Sequence, residues 1–200
     1  MEPSRAQPLE ATVLILAGPN GAGKTTASRI IVPAGTTFVN ADTIARQLAE
    51  GGHPPEGLDI AAGRIVLKLI RELAGRGASF CVETNLAGRG FVRSIGVWRG
   101  QGYRVEIAFV GLVSPELAIL RVARRVELGG HAVPEPVIRR RWRQGLVAFF
   151  QTYSDLADGW TLADNSRDAP IQVARRQRGS VDTEVLDSAL WSHYNELSRG

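Results

Sequence analysis

The chain of 200 residues contains little cysteine, histidine or lysine. The single cysteine, Cys81, excludes an internal disulfide bond, and its place in the apolar run 78–82 favours a buried thiol over a nucleophile. Three histidines scattered along the chain predict no metal-ligand cluster. No apolar run approaches the length of a membrane span, and no basic-then-apolar signal opens the chain. We therefore expect a cytoplasmic protein without a membrane partner.

Lysine is confined to Lys24 and Lys68, so arginine supplies 22 of the 24 basic residues, and the net charge is +4. The planar guanidinium group suits phosphate recognition. An arginine bias over a whole chain can also reflect genome composition, so only the placement of individual arginines indicates function.

The length and the hydrophobic content of 44% suffice for one sizeable core, which predicts a single domain over residues 1–200 with a flexible segment at 1–8. Five apolar runs and a weaker sixth alternate with helix-length segments. This pattern predicts an α/β protein in which helices cover both faces of a mostly parallel sheet of five or six strands. The predicted strands are 12–17, 37–40, 80–83, 105–113, 160–163 and 171–174, and the predicted helices are 43–50, 58–76, 114–128 and 137–156.

A phosphate-binding loop is the most specific motif. Residues Gly18–Thr25 fit the pattern G-x-x-x-x-G-K-[ST] at every position, after the apolar run 12–17 and before the helix-compatible 26–31. Its glycines let backbone N–H groups surround phosphate oxygens, Lys24 reaches the β- and γ-phosphates, and the Thr25 hydroxyl binds Mg²⁺. The motif predicts a nucleoside triphosphate, ATP, as cofactor. The residues expected to hold it are Gly18, Pro19, Asn20, Gly21, Ala22, Gly23, Lys24, Thr25 and Thr26, with Arg125 and Asn165 from later segments.

Polar residues follow several predicted strands, at 40–42, 83–85 and 164–166. In an open parallel sheet these positions meet at the ligand-binding edge. We interpret Asp42 as the catalytic base that accepts the proton of an acceptor hydroxyl, because no Walker B run of apolar residues ending in aspartate competes with it. The alternative is that Asp42 only caps the helix 43–50.

Glu83 follows a strongly apolar run, where a carboxylate is costly unless it faces a cation, a metal or substrate hydroxyls. We expect it to bind substrate, together with Thr84 and Asn85, or to support the metal. The alternative is a salt bridge to an arginine at the strand edge.

Seven arginines lie between residues 121 and 143, on two predicted helices joined by a Gly-Gly-His loop. The arrangement predicts a helical lid over residues 114–156. Arg121 and Arg125 share a helix face with Arg124 adjacent, so two or three guanidinium groups can converge on the transferring phosphate. Since most charges on a helix are solvated, we expect about two of the seven to touch ligand. His131 and Arg140 are further candidate substrate contacts.

Taken together, these motifs resemble the compact zeta-toxin-like P-loop kinases. The residues that carry the resemblance are Gly18–Thr25, Asn40–Ala45, Val82–Thr84, Arg121–His131, Ile138–Arg140 and Asp164–Ser166.

The resemblance implies a P-loop NTPase three-layer α/β/α fold with the kinase strand order 2-3-1-4-5. It also implies a hydroxyl acceptor such as UDP-N-acetylglucosamine and a toxin–antitoxin setting with an antitoxin partner. In the family pattern Lys24 carries phosphate, Asp42 is the base, Glu83 holds the substrate, and lid arginines such as Arg121 and Arg124 stabilise the transition state. The relatives usually have Glu-Thr-Thr where this chain has Glu83-Thr84-Asn85, so the sugar contact of the second threonine is not implied here.

Two other functions fit the sequence. One is an antibiotic or nucleoside phosphotransferase on the same scaffold. The other is a nucleotide-dependent binding module or RNA-associated NTPase, suggested by the arginine-rich helices. A binder has no need of a carboxylate at Asp42, so we expect a small-molecule substrate and no nucleic acid.

Overall fold

The computed structural model of the protein describes residues 10–54 and 56–199, so the expectation for residues 1–8 lies outside the described residues. Its described strands form one seven-stranded sheet. The strands are β1 (Thr12–Ala17), β2 (Thr37–Val39), β3 (Phe80–Thr84), β4 (Arg104–Gly111), β5 (Gly159–Asp164), β6 (Ile171–Arg176) and β7 (Glu184–Val185).

The sheet order is β2-β3-β1-β4-β5-β6-β7. The first five strands pair in parallel, and β6 and β7 continue the sheet antiparallel. The predicted order 2-3-1-4-5 is therefore confirmed. The sheet thus has more strands than the predicted five or six. Strand β7 was not predicted, because it consists of only two residues, both exposed, and carries no apolar signal. An ion pair between Arg175 and Glu184, 2.7 Å apart, joins it to β6.

Helices flank the sheet. They are α1 (Lys24–Ile31), α2 (Ala41–Glu50), α3 (Leu58–Gly75), α4 (Val92–Gly100), α5 (Pro115–Glu127), α6 (Glu135–Ala148), α7 (Ser154–Leu156) and α8 (Ser188–Arg199). Helices α4 and α8 were not predicted. For α8 a signal existed, since Leu190, Trp191, Tyr194 and Leu197 recur at helical spacing and pack on the core.

Two of the differences from the predicted helix boundaries have a clear structural cause. Helix α2 begins at Ala41 because the Asn40 side chain caps it, accepting a hydrogen bond from Thr43 N at 3.0 Å. The interpretation of Asp42 as the cap is therefore wrong. The predicted helix 137–156 is interrupted after α6 by a π-helical turn, Phe149–Tyr153.

The core lies on both faces of β1 and β4, where Ile15, Ile107 and Phe109 are at most 1% exposed. Cys81 is fully buried in the same cluster, as the sequence predicted. Apolar strands covered on both faces are typical of parallel sheets between helices. None of the helices in the described part of the chain combines the length and hydrophobicity needed to cross a membrane.

Candidate active site

A cleft of about 450 Å³ opens at the carboxyl edge of β1 and β3. Its walls come from the phosphate loop, the first turns of α2 and α3, the end of β3, and the helices α5 and α6. The sequence-predicted residues that line it are Asn20, Gly21, Gly23, Lys24, Thr25, Thr26, Asp42, Glu83, Thr84, Asn85, Arg121, Arg125 and His131. Local sequence motifs from five segments thus meet at one place.

The phosphate loop depends on glycine for its shape. Gly21 and Gly23 adopt φ values of +77° and +83°, which L side chains rarely adopt. A Cβ on Gly21 would lie 2.9 Å from the Ala118 carbonyl oxygen, so helix α5 packs directly on the loop. Helix α1 begins immediately afterwards, at Lys24, and directs its positive N-terminal end into the cleft.

Lys24 is folded back onto its own loop. Its ammonium group donates hydrogen bonds to the carbonyl oxygens of Gly18 at 2.9 Å and Pro19 at 3.0 Å. It also contacts the Asn85 amide oxygen at 3.4 Å and lies 3.8 Å from a Glu83 carboxylate oxygen. Burial lowers the pKa of Lys24, and the nearby Glu83 and Asp42 carboxylates oppose that shift. The carbonyl oxygens and the two nearby carboxylates thus offset part of the cost of burying the ammonium group.

The Glu83 carboxylate connects three segments of the cleft. One of its oxygens accepts hydrogen bonds from the Thr25 hydroxyl at 3.0 Å and from the Asn40 amide at 2.7 Å. Its side chain is only 11% exposed, and its ionic partner is Lys24. The alternative of an arginine partner at the strand edge is therefore wrong. The carboxylate instead fixes the residue expected to bind metal and the lysine expected to bind phosphate.

Two exposed carboxylates face the cleft from helix N-termini. Asp42 lies in the first turn of α2, and Asp59 lies in the first turn of α3. Both are exposed, so neither incurs a large desolvation cost when charged. Asp59 was not identified from the sequence, because it lies within a long amphipathic helix and follows no strand.

Backbone strain lies next to the site, at the end of β3. Leu86 is 3% exposed and has a φ of +54°, a region that costs a non-glycine residue about 1–3 kcal/mol. The Thr84 hydroxyl accepts a hydrogen bond from Leu86 N at 3.1 Å and supports this turn. The Asn85 carbonyl oxygen would lie 2.4 Å from a Cβ on Gly145, so helix α6 packs closely against the same turn.

Two helix α5 arginines point into the cleft. Arg121 donates hydrogen bonds to the carbonyl oxygens of Asn165 at 2.6 Å and Ser166 at 3.3 Å. Arg125 donates one to the His131 carbonyl oxygen at 2.8 Å. Arg124 is exposed and does not line the cleft, which corrects its assignment as a catalytic residue. Adjacent positions of an α-helix point in different directions, so Arg124 lies off the direction in which Arg125 points.

Helix α6 requires a similar correction. Arg141 lines the cleft, whereas Arg140 lines a separate groove on the other side of the helix. A signal for this existed, because Arg141 lies beside the buried stripe that includes Ile138 and Gly145. Arg140 points away from that stripe.

Asn165 contacts the phosphate loop without lining the cleft. Its amide donates a hydrogen bond of 2.8 Å to the Ala22 carbonyl oxygen, and a Cβ on Gly23 would lie 2.7 Å from the same amide nitrogen. The predicted nucleotide contact is thus a support of the loop backbone.

The residues present fit a magnesium triphosphate. The positive-φ glycines leave no room for side chains between the loop and its neighbours, which keeps its N–H groups available to phosphate oxygens. The Asn20 amide oxygen is buried without a hydrogen-bond partner among the described residues, where a ligand donor or a coordinated water can satisfy it. Thr25 supplies a hydroxyl beside the Glu83 carboxylate, and hydroxyl and carboxylate oxygens are groups that suit Mg²⁺.

The fold and the site together define a nucleotide-binding P-loop protein with a kinase-like fold. A sequence model of the AAA domain family matches residues 13–153, more than half of the chain. The chain therefore belongs to the AAA domain family, and its fold is that of the zeta-toxin-like P-loop kinases. A protein of Haemophilus influenzae, carrying the name "Uncharacterized protein", is 27% identical over 125 residues, which cover 62% of this chain and 88% of that protein.

Solved structures share the fold at low sequence identity. The crystal structure of AvrRxo1-ORF1:AvrRxo1-ORF2 with sulphate ions is 19% identical, with a TM-score of 0.75. It matches 94% of this chain, which spans only 64% of that chain's length, and a second structure of that complex contains ATP. The PezAT chromosomal toxin–antitoxin system of Streptococcus pneumoniae is 19% identical over 98% of this chain and 82% of that chain, with a TM-score of 0.63.

Proposed function

We propose that the protein is an ATP-dependent phosphotransferase that moves the γ-phosphate to a hydroxyl group of a small molecule. The observation that carries the proposal is the convergence on one cleft of the phosphate loop, the carboxylates of Glu83 and Asp42, and three arginines. Phosphoryl transfer needs a triphosphate cradle, positive charge around the transferring group and a base or aligning group. A module that only bound nucleotide would need the cradle alone.

In the proposed reaction, Asp42 accepts the proton of the acceptor hydroxyl as its oxygen bonds to the γ-phosphorus. The bond between that phosphorus and the β–γ bridging oxygen breaks, and ADP leaves. Mg²⁺, when bound, would supply positive charge that neutralises the phosphates. Thr25 and Glu83 would hold it, and Lys24 would exchange its carbonyl partners in the loop for phosphate oxygens.

We assign the charge stabilisation to Arg121, Arg125 and Arg141 and not to Arg124, and we do not assign a substrate contact to Arg140. Helices α5 and α6 are joined by an ion pair between Glu116 and Arg139, 2.6 Å apart. The loop between them lines the cleft with His131 and Val133. We propose that this helix pair acts as the lid that excludes water during transfer.

For the acceptor we propose a UDP-amino sugar, with UDP-N-acetylglucosamine as the first compound to test. The family resemblance of the motifs supports this choice, and the toxin–antitoxin neighbour supports an antitoxin protein as partner. We also propose a cytoplasmic location. Asn85 replaces the usual second threonine of the motif and contacts Lys24, so the acceptor contacts differ from those of the resembled family. An antibiotic or nucleoside acceptor on the same scaffold is the competing choice.

The test is transfer from γ-labelled ATP to a panel of UDP-sugars, nucleosides and antibiotics by the purified protein. Label in a UDP-amino sugar supports the full proposal. Label only in a nucleoside or antibiotic keeps the kinase and overturns the sugar acceptor. ATP binding with no labelled product from any acceptor would contradict the phosphotransferase itself.

A basic groove of about 720 Å³ favours a second candidate function. Its lining includes Arg89, Arg140, Arg143, Gln151 and Arg199, and no aspartate or glutamate of the described residues is part of it. Such a groove fits the phosphates of RNA and would serve a nucleotide-dependent RNA-binding protein. That function predicts RNA affinity that falls steeply with salt and is lost in Arg140→Glu, whereas a kinase alone predicts neither.

A further inference from the structure

The buried carboxylate of Asp164 lies at the end of β5, outside the cleft, and is only 1% exposed. It accepts hydrogen bonds from the Ser166 backbone N–H at 3.0 Å, from the Ser166 hydroxyl at 2.7 Å, and from the Tyr194 hydroxyl of helix α8. A buried carboxylate depends on such donors to replace its lost hydration. Tyr194 is thus one of the groups that hold this strand end in shape.

Hydrogen bonds connect the turn 164–166, which Asp164 holds, to the phosphate loop and to helix α5. Its carbonyl oxygens at Asn165 and Ser166 accept both hydrogen bonds of Arg121, and the Asn165 amide binds the Ala22 carbonyl oxygen. The Ser166 hydroxyl also accepts a hydrogen bond from Val113 N at 2.9 Å. A continuous chain of contacts therefore leads from helix α8 to a guanidinium group in the cleft.

We propose that Tyr194 is a positioning residue for the triphosphate end of the cleft, acting through the turn 164–166 on Arg121. The inference rests on the proposed function, because it assigns Arg121 to the bound phosphates. Tyr194 touches neither nucleotide nor acceptor. Through Tyr194, helix α8 supports the nucleotide site.

The surroundings of Tyr194 fit this role. The side chain is 1% exposed, and its hydroxyl would lie 2.6 Å from a Cβ on Gly111, so the end of β4 admits the tyrosine only because glycine is present. Burial, together with the Asp164 carboxylate, raises the pKa of Tyr194, so the hydroxyl stays protonated and remains a donor. The neighbouring His193 ring contacts the Val113 carbonyl oxygen at 3.1 Å and fixes the helix at the same strand end.

The test is a double-mutant cycle on the affinity for Mg-ATP, measured by calorimetry without any acceptor. Tyr194→Phe removes the hydroxyl alone and should weaken binding about tenfold, the size of one buried hydrogen bond to a charged group. In the Arg121→Ala background the same change should cost less than about twofold, since coupled residues are not additive. The matched control is Tyr103→Phe, which removes another buried hydroxyl, bonded to the Ala78 carbonyl oxygen at 3.0 Å, and should leave ATP affinity unchanged.

Equal losses from Tyr194→Phe with and without Arg121 would overturn the inference, as would an equal loss from the Tyr103 control. If Tyr194→Phe does not fold, Ser166→Ala enters the same cycle, because it breaks the same turn from the other side. A wild-type protein that does not bind Mg-ATP overturns the proposed function as well. Binding by the wild type with additive losses overturns this inference alone.

Discussion

The hydroxyl of Thr25 donates a hydrogen bond of 3.0 Å to the carboxylate of Glu83, across 58 positions of sequence. This contact joins the first turn of α1 to the end of β3, the strand that pairs with β1. It places the hydroxyl expected to bind metal against a carboxylate, with Lys24 on the other oxygen. We infer that Glu83 sets the metal affinity of the cleft.

Replacing this carboxylate by an amide tests that inference. Glu83→Gln keeps the shape and one acceptor oxygen but removes the charge. We expect the Mg²⁺ concentration for half-maximal activity to rise about tenfold or more, the usual effect of losing a group that supports a metal ligand. The control is Glu72→Gln, which changes an exposed glutamate that is paired with Lys68. An unchanged Mg²⁺ requirement in Glu83→Gln would remove Glu83 from the metal site.

Neighbouring arginines on the lid helices provide matched pairs. Arg125→Ala and Arg141→Ala each remove a guanidinium group that lines the cleft, and each should lower turnover by about 10²-fold or more, as loss of a charge-stabilising group does. Arg124→Ala and Arg140→Ala remove guanidinium groups that lie outside the cleft, and each should change turnover by less than about twofold. Initial rates at saturating ATP decide between them. Equal effects within either pair would contradict the observed helix orientation.

The phosphate loop could be predicted from the sequence because its function depends on consecutive residues. Gly21, Gly23, Lys24 and Thr25 lie where the pattern places them, since their backbone conformation is specified locally. The order of the first five strands followed from the family motifs. The position of Asp42 could be predicted for a similar reason, because the segment that follows β2 begins at the ligand-binding edge of the sheet.

Side chains whose direction depends on tertiary packing could not be predicted in the same way. Arg141 and Arg140 are adjacent in sequence, and only the packing of α6 on the turn at Asn85 decides which one enters the cleft. Asp59 reaches the cleft because α3 packs on α2, a contact that no sequence motif encodes. The connection from Tyr194 to Arg121 crosses three segments distant in sequence, so no local pattern could indicate it.

Position 145 of helix α6 should not tolerate a side chain, because the helix lies against the turn that follows β3 there. In Gly145→Ala the new Cβ would lie 2.4 Å from the Asn85 carbonyl oxygen, so one element must move, at a cost of about 1–3 kcal/mol. The matched control is Gly63→Ala in α3, where nothing lies within 4 Å and stability should rise by about 0.5–1 kcal/mol. Urea unfolding midpoints measure both changes. A Gly145→Ala protein as stable as the wild type would show that α6 does not pack this closely.

The thiol of Cys81 should be unreactive in the folded protein. Burial raises its pKa from 9.0 to about 12, so the reactive thiolate is absent at pH 8 and labelling by iodoacetamide should require unfolding. The unfolded chain loses this proton from about pH 9, before the folded chain does. The free energy of unfolding should therefore fall between about pH 9 and 12.

Cys81→Ala provides the comparison for that pH dependence. The free energy of unfolding of Cys81→Ala should fall less over this range. The tyrosines that also ionise there contribute to both proteins, so the difference between the two comes from the thiol. Rapid labelling of the native thiol at pH 8 would contradict the burial of Cys81.

The most direct measurement of the central claim follows the γ-phosphorus of ATP by ³¹P NMR, in the presence of acceptor, with wild type and Asp42→Asn side by side. The account predicts a phosphate monoester forming at the rate of ADP in the wild type. Asp42→Asn should bind ATP with unchanged affinity but form the ester at least about 10²-fold more slowly, because the hydroxyl has lost its base. Asp59→Asn, which alters the other exposed carboxylate of the cleft, should keep the wild-type rate. Release of the γ-phosphorus only as inorganic phosphate, or ester formation by Asp42→Asn at the wild-type rate, would contradict the account.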